Sequence, residues 1–272
     1  MTGPCAGHDA AVTDRSTLTG SAYRNDRALA ARQSLYRWQA PRYDLPGLVM
    51  EELKALRGTV VDVGCGNGRF IQRIRAGRPD LRLLGLDVSA GILDGVPGHV
   101  GIADAERLPL RSHSVAAALA LHMLYHVRDI PQAVGELSRV ITERGIVIAS
   151  TNSDRDKSEL NQLWERAAGD VLGREKGPSR ISLSARFSLE KARDLLGEAF
   201  GTVRSIDLPG TITVRSAEPV VAHMESYRAW ADHHEVPFAP TIERAREIVD
   251  RHIAQHGAFS IEARGGLLVC SR

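Results

Sequence analysis

Apolar residues change rhythm along the chain, and the changes mark out its elements. Leu29, Ala30, Gln33, Tyr36 and Arg37 fall at helical spacing, as do Leu48, Val49, Leu53 and Leu56. The two helices they predict are separated near Ala40-Pro41, with a second break at Pro46. From Gly58 the pattern turns to short, continuously apolar runs alternating with helical ones. Strands are expected at Gly58–Val63, Leu81–Asp87, His99–Ile102, Val115–Ala120 and Gly145–Ser150. Phe70, Ile71 and Ile74 mark the helix after the first strand, and Val134, Leu137, Val140 and Ile141 a later one. Strands that are apolar at every position are buried on both faces, which means a parallel sheet between helical layers. Right-handed crossovers then bring the carboxyl ends of the strands to one rim, where ligands bind.

Beyond Ser150 the pattern loosens. A polar helical insertion is expected over 152–177 and a helix over 188–199, followed by strand-like runs at 202–208 and 211–214. Helices at 219–234 and 240–255 and a closing strand at 266–270 complete the reading. The expected architecture is an α/β, Rossmann-like, seven-stranded mixed sheet whose final strand is antiparallel. Residues 1–20 read as a flexible tail and 21–272 as one domain. Within it lie N-terminal helices (21–57), a ligand-binding core (58–150) and lid insertions at 152–177 and 216–257.

Composition narrows the function classes. The chain has 272 residues, 43% hydrophobic and 25% charged, with a formal net charge of +2, the make-up of a soluble globular protein. Near-neutral charge, with no basic block, argues against a nucleic-acid partner. No run of about 18 apolar residues predicts a membrane span, and the N-terminus lacks the pattern of a secretory signal. Cys5, Cys65 and Cys270 form no metal or disulfide spacing, so a cytoplasmic setting is expected and no metal site. Arginine-rich, lysine-poor usage fits a GC-rich bacterial genome and, with it, a specialised-metabolite or antibiotic biosynthetic cluster.

The most informative segment is Val60-Val61-Asp62-Val63-Gly64-Cys65-Gly66-Asn67-Gly68. Glycines after a buried strand allow a sharp turn and let the backbone approach a ligand. The helix starting near Asn67 turns its N-terminal amides to the same crevice, and Asp62 adds a carboxylate. A dinucleotide loop of the form G-x-G-x-x-G would need glycine at 69, where Arg69 stands. The spacing D-x-G-x-G-x-G instead resembles motif I of the class I S-adenosylmethionine-dependent methyltransferases. Leu83-Leu84-Gly85-Leu86-Asp87 is similar to that family's second motif, and Ala103-Asp104-Ala105 with Leu108-Pro109 to its third. Leu121 to Asp129, then Glu136-Leu137-Ser138-Arg139-Val140 and Gly145, resemble the methyltransferase type 11 group.

The resemblance covers residues 58–150 and implies S-adenosyl-L-methionine as cofactor and S-adenosyl-L-homocysteine as product. It places Asp87 on the ribose hydroxyls, Asp104 on the adenine amino group and the Ala105 amide on the ring. Asp62, Gly64, Cys65, Gly66, Asn67, Gly68, Val88 and Leu121 complete the cofactor set. Tyr43-Asp44 resembles the group's Tyr-Asp element, which puts Tyr43 near the methionine end.

A methyl sulfonium is already activated, so alignment and exclusion of water carry most of the catalysis. Leu121-His122-Met123-Leu124-Tyr125-His126 follows the fourth strand, where acceptor contacts fall, and it lacks the D/N-P-P-Y of nucleic-acid amino-methyltransferases. A small-molecule acceptor is therefore expected. His122 is the first candidate for a general base and His126 the second. Tyr23, Tyr36, Trp38, Tyr125, Trp164, His223 and Tyr227 are candidates for the acceptor pocket, with His122. His223, Tyr227, Trp230, His233 and His234 read as an aromatic lid, since no further ligand converges for a metal. An RNA methyltransferase, a non-catalytic methyltransferase-like binding protein and an NAD(P)-dependent oxidoreductase are the alternatives. The acceptor atom and the oligomeric state are left open.

Overall fold

The protein is described from residue 5 to residue 272 in a computed structural model. Its helices are α1 (Cys5–Thr13), α2 (Arg15–Thr17), α3 (Arg27–Ser34), α4 (Leu45–Glu52), α5 (Arg69–Gly77), α6 (Ala90–Leu93), α7 (Ile130–Val140), α8 (Ser158–Leu172), α9 (Leu189–Gly197), α10 (Glu218–Glu225) and α11 (Phe238–His256). Its strands are β1 (Gln39–Ala40), β2 (Thr59–Val63), β3 (Arg82–Asp87), β4 (His99–Ile102), β5 (Val115–Leu121), β6 (Ile141–Asn152), β7 (Thr202–Val214) and β8 (Phe259–Ser271).

All strands join one sheet in the order β1-β7-β8-β6-β5-β2-β3-β4. β2 to β6 run parallel, and β8 lies antiparallel between β6 and β7. The mixed sheet and its antiparallel final strand are as expected; the two-residue β1 adds an eighth strand at the edge. The runs at 202–208 and 211–214 are one strand. Pairing continues through Pro209↔Arg264 and Gly210↔Ala263, and β1 covers β7 only at Thr211 and Ile212. Pro209 thus falls where that side of β7 is an open edge, a position proline tolerates. β6 begins at Ile141, four residues before the expected strand start at Gly145, and its pairing with β5 shifts register between Val115 and Ala117.

Burial explains why the parallel strands were legible. Val61, Val63, Ala118, Ala120, Val147 and Ala149 enter one core cluster, while their neighbours Val60, Ala117, Leu119 and Ile148 enter another. Successive side chains point to opposite faces, and each face is covered, so no position on these strands can be polar without a reason. Ser150 and Thr151 of β6 are buried too, but Asp62, only 4% exposed, is the charged exception among the described strand residues, and it marks the site.

Two expectations change. Residues 1–4 lie outside the described part, but 5–22 are not a loose tail. They fold as α1, α2 and a π-helical turn at Leu18–Ala22. Ala11, Val12, Leu18 and Ala22 are buried, and the Ala11 carbonyl accepts a hydrogen bond from Trp230 Nε1 at 3.1 Å. The 152–177 segment is not merely a polar insertion either. Leu160, Leu163, Trp164, Ala167 and Ala168 on α8 are buried with Ile242, Ala245 and Val249 of α11 in a third apolar cluster.

Candidate active site

The carboxyl ends of β2, β3, β4 and β5 open into one cavity of about 360 Å³, a size suited to a small ligand. β2 delivers Asp62 and then the glycine turn. Gly64 has φ +70, and a Cβ there would come within 2.7 Å of Met123 Cβ, so both backbone and space require glycine. The turn folds back on β3: the Gly64 and Cys65 amides both donate to the Leu86 carbonyl, at 2.7 and 3.0 Å. The Gly66 amide donates to Asp87 Oδ2 at 2.9 Å, and the Ser89 amide to Asp87 Oδ1 at 2.9 Å. Each Asp87 oxygen therefore holds one backbone donor and keeps capacity for another, which suits it to paired hydroxyls of a ligand. Asp104, after β4, accepts the Glu106 amide at 3.0 Å and pairs with Arg15 Nη1 at 3.1 Å.

Electrostatics sharpen these roles. Burial, and then the Asp87 charge, push the Asp62 carboxyl up to about 8, so near neutrality it is mostly protonated and can donate. Burial also raises Asp87, against the backbone amides that favour its charge. The Cys65 thiol is raised well above its ordinary value by burial, which leaves it an inert wall residue.

Asp62, Gly64, Cys65, Gly66, Asn67, Asp87, Val88, Asp104, Ala105 and Leu121 all line the cavity, as do Tyr23, Tyr36, His122, Tyr125, His126, His223 and Tyr227. Four expected members do not. Gly68 caps α5 and packs on Val96, where a Cβ would come within 2.3 Å. Tyr43 points outward and donates from its hydroxyl to the Pro209 carbonyl at 2.7 Å. Trp38 is 49% exposed on the outer surface. Trp164 is buried against the rings of His234 and Phe238, with centroids at 4.6 and 5.7 Å. The aromatic cluster of the late insertion splits accordingly: His223 and Tyr227 face the cavity, and His234 joins the α8–α11 core.

The two histidines differ. His122 sits at φ 54, a left-handed position costing a non-glycine residue about 1–3 kcal/mol, and this turn sets it on the cavity wall after β5. Burial and the nearby Lys157 hold it down to about 4. His126 is used on both nitrogens. Nδ1 lies 2.9 Å from the Val12 carbonyl and must donate, so Nε2, 2.7 Å from the Tyr23 hydroxyl, accepts. Its lone pair is occupied, and it positions Tyr23 rather than serving as a base.

Sequence reasoning missed Arg32, Asp156, Lys157, Asn161 and Arg180 on the cavity wall. Lys157 is 4% exposed, ion-paired with Asp156 and hydrogen-bonded to the Tyr36 hydroxyl at 2.7 Å. Arg32 is 8% exposed and donates to the Ser226 carbonyl at 2.9 Å. Charged residues on helices and loops read as solvated, and only the fold turns these inward.

Residues 61–149 match the family described as Methyltransferase domain. This match to about a third of the chain agrees with the cavity, whose cofactor candidates all fall inside or beside it. The chain is 33% identical over 116 residues to a malonyl-[acyl-carrier protein] O-methyltransferase of Yersinia pestis, covering 40% of this chain and 42% of that one. It is 28% identical over 199 residues to the enzyme of that name from Hahella chejuensis, covering 62% and 70%. The match thus spans under half of the Yersinia relative's length. Among solved structures, a protein from an antibiotic biosynthesis pathway of Anabaena variabilis superposes with TM-score 0.59 at 15% identity, covering 84% and 96% of the two chains. A phosphoethanolamine N-methyltransferase of Haemonchus contortus, solved with S-adenosyl-L-methionine, superposes with TM-score 0.55 at 10% identity, covering 94% and 59%. These likenesses show the fold. No described helix is long and apolar enough to cross a membrane.

Proposed function

We propose that the protein transfers a methyl group from S-adenosyl-L-methionine to a small organic acceptor, in the cytoplasm and within specialised-metabolite biosynthesis. The observation that carries the cofactor is the Asp87 carboxylate. It is held by the Gly66 and Ser89 amides on the same cavity wall as Asp62 and Asp104. When bound, S-adenosylmethionine supplies a methyl group already activated on a sulfonium. The residues of this chain then have three tasks. Asp87 accepts the ribose hydroxyls and Asp104 the adenine amino group, while the glycine turn lets the backbone close on the ligand. The walls from α3, the β5 turn and the segment before α8 exclude water and hold the acceptor in line, an effect of about 7–11 kcal/mol in well-oriented systems. Neutral His122 accepts a proton if the acceptor arrives protonated, a contribution of ~10²–10⁴-fold. The acyl-carrier-linked acceptors named for the curated relatives are compatible with a cavity that takes only the acceptor's reacting end.

Calorimetric titration with S-adenosylmethionine, S-adenosylhomocysteine and NAD tests this. Both sulfur ligands should bind one site and NAD should not. Asp87→Ala should weaken them by about 1.5–3 kcal/mol, the value of hydrogen bonds to a charged group, or roughly ten- to a hundredfold. Absence of heat with either sulfur ligand would overturn the cofactor assignment.

A further inference from the structure

At one part of the cavity wall positive charge is buried or half-buried without an anion to balance it. Arg32 Nη2 and Arg180 Nη1 are buried and have no hydrogen-bond partner. The remaining contacts of both groups are neutral. Arg32 Nη1 donates to the Ser226 carbonyl, and Arg180 Nε and Nη2 both donate to Asn161 Oδ1, at 3.2 and 3.0 Å. The two guanidinium groups share an aromatic wall, with the Tyr227 ring centroid 5.9 Å from Arg32 Cζ and 4.7 Å from Arg180 Cζ. His223, 3% exposed, stands 5.6 Å from the same ring, and neither of its nitrogens has a hydrogen-bond partner.

The acids of this region do not balance that charge. Asp156 is committed to Lys157 and to the Arg264 amide, and no ion pair joins Asp154 to either arginine among the described residues. A buried guanidinium without a counter-charge is costly, and one with an unfilled donor more so. Arg32, buried, and Arg180, half-buried with its Nη1 enclosed, line one cavity beside an unsatisfied imidazole and form a preorganised site for an oxyanion.

From this geometry we infer that the acceptor carries an anionic group, a carboxylate or a phosphate monoester, seated on Arg32 Nη2 and Arg180 Nη1. The inference rests on the methyltransferase reading for the word acceptor, but the anion site stands on the residues alone. Burial and the fields of Arg180, Lys157 and Arg32 keep His223 well below its ordinary value, so it meets the ligand as a neutral donor or acceptor.

The test uses the full chain saturated with S-adenosylhomocysteine, so that the cofactor's own carboxylate is already placed. Phenylacetate, phenyl phosphate and neutral phenylacetamide are titrated as probes by calorimetry. At least one anion should bind about tenfold or more tightly than the amide, a difference expected of a charge-assisted pair, and the better anion identifies the oxyanion class. Arg180→Met should remove that preference, Arg180→Lys should keep part of it, and both variants should bind S-adenosylhomocysteine within twofold of the parent chain. Equal binding of acids and amide, or no binding of either acid, would overturn the inference. So would a loss of S-adenosylhomocysteine affinity in Arg180→Met and Arg32→Met that matches the loss of the probe, since the arginines would then belong to the cofactor's carboxylate. If the parent chain binds no S-adenosylhomocysteine, the methyltransferase reading fails. The same titration without it then still decides the anion site.

Discussion

At the scale of single residues, what separates His122 from His126 is where the lone pair goes. The sequence offers both as bases four residues apart, and nothing in their spacing ranks them. The Val12 carbonyl fixes the His126 proton on Nδ1, and Tyr23 fills Nε2, so of these two His122 is the one left as a candidate base. Long-range proton–nitrogen spectra should show His126 as the Nδ1–H tautomer and neutral down to pH 5, because burial holds it down to about 4. An Nε2–H signal, or titration near its ordinary pKa, would contradict the assignment. Tyr23→Phe removes the hydroxyl and leaves Nε2 without that partner. A stranded buried acceptor costs about 1–3 kcal/mol, which for a chain of this size lowers the melting temperature by several degrees, at ~2–4 °C per kcal/mol. An unchanged melting temperature would mean that solvent reaches His126.

At the scale of elements, legibility follows how many constraints act on each one. β2, β3, β5 and the inner part of β6 are buried on both faces, so their apolar runs could be read directly, and the glycine turn with Asp62 and Asp87 came with them. The edge strand β4 leaves Ile102 64% exposed and was legible from its short apolar run alone. α8 has only one buried face, and its polar face dominated the reading. The segment 5–22 has weak amphipathic patterning; its place is set by distant partners such as Trp230, more than 200 residues away, which no local pattern encodes. Arg32 was hidden for a related reason: α3 turns it toward the cavity alongside Leu29 and Gln33, whereas an arginine on a short helix suggests solvent. The N-terminal helices also touch the cofactor side, because Arg15 of α2 pairs with Asp104. Both side chains are substantially exposed there, at 58% and 41%, and such pairs are worth ~0–1 kcal/mol. Arg15→Ala should therefore leave S-adenosylhomocysteine affinity unchanged or raise it by up to about fivefold, as Asp104 is released to the adenine. A loss of affinity by calorimetry would show instead that Arg15 contacts the ligand.

For the whole molecule, a parallel sheet that gathers its acidic strand ends on one rim also sets how stability responds to pH. Asp62 is raised to about 8, so between about 4 and 8 the folded chain holds a proton that the unfolded chain releases. Stability from this group falls as pH rises through that window. His122 and His126, lowered to about 4, and His223, held well below its ordinary value by burial, act in the opposite sense. Between about 4 and 6.5 the unfolded chain binds protons that these folded imidazoles refuse, so their contribution rises with pH and then levels off. The three rising contributions outweigh the falling ones of Asp62 and Asp87 up to about pH 6.5, and above it the loss from Asp62 dominates. The chain should be most stable near pH 6–7 and lose about 2 kcal/mol by pH 8, at ~1.4 kcal/mol per pH unit for one proton. Asp62→Asn keeps the shape and discards the ionisation. Denaturant unfolding at pH 6.5 and 8 should show the loss in the parent chain and a nearly flat response in the variant. Parallel slopes in the two proteins would mean that Asp62 is already charged at neutral pH, and that it would meet the cofactor as an anion instead of a donor.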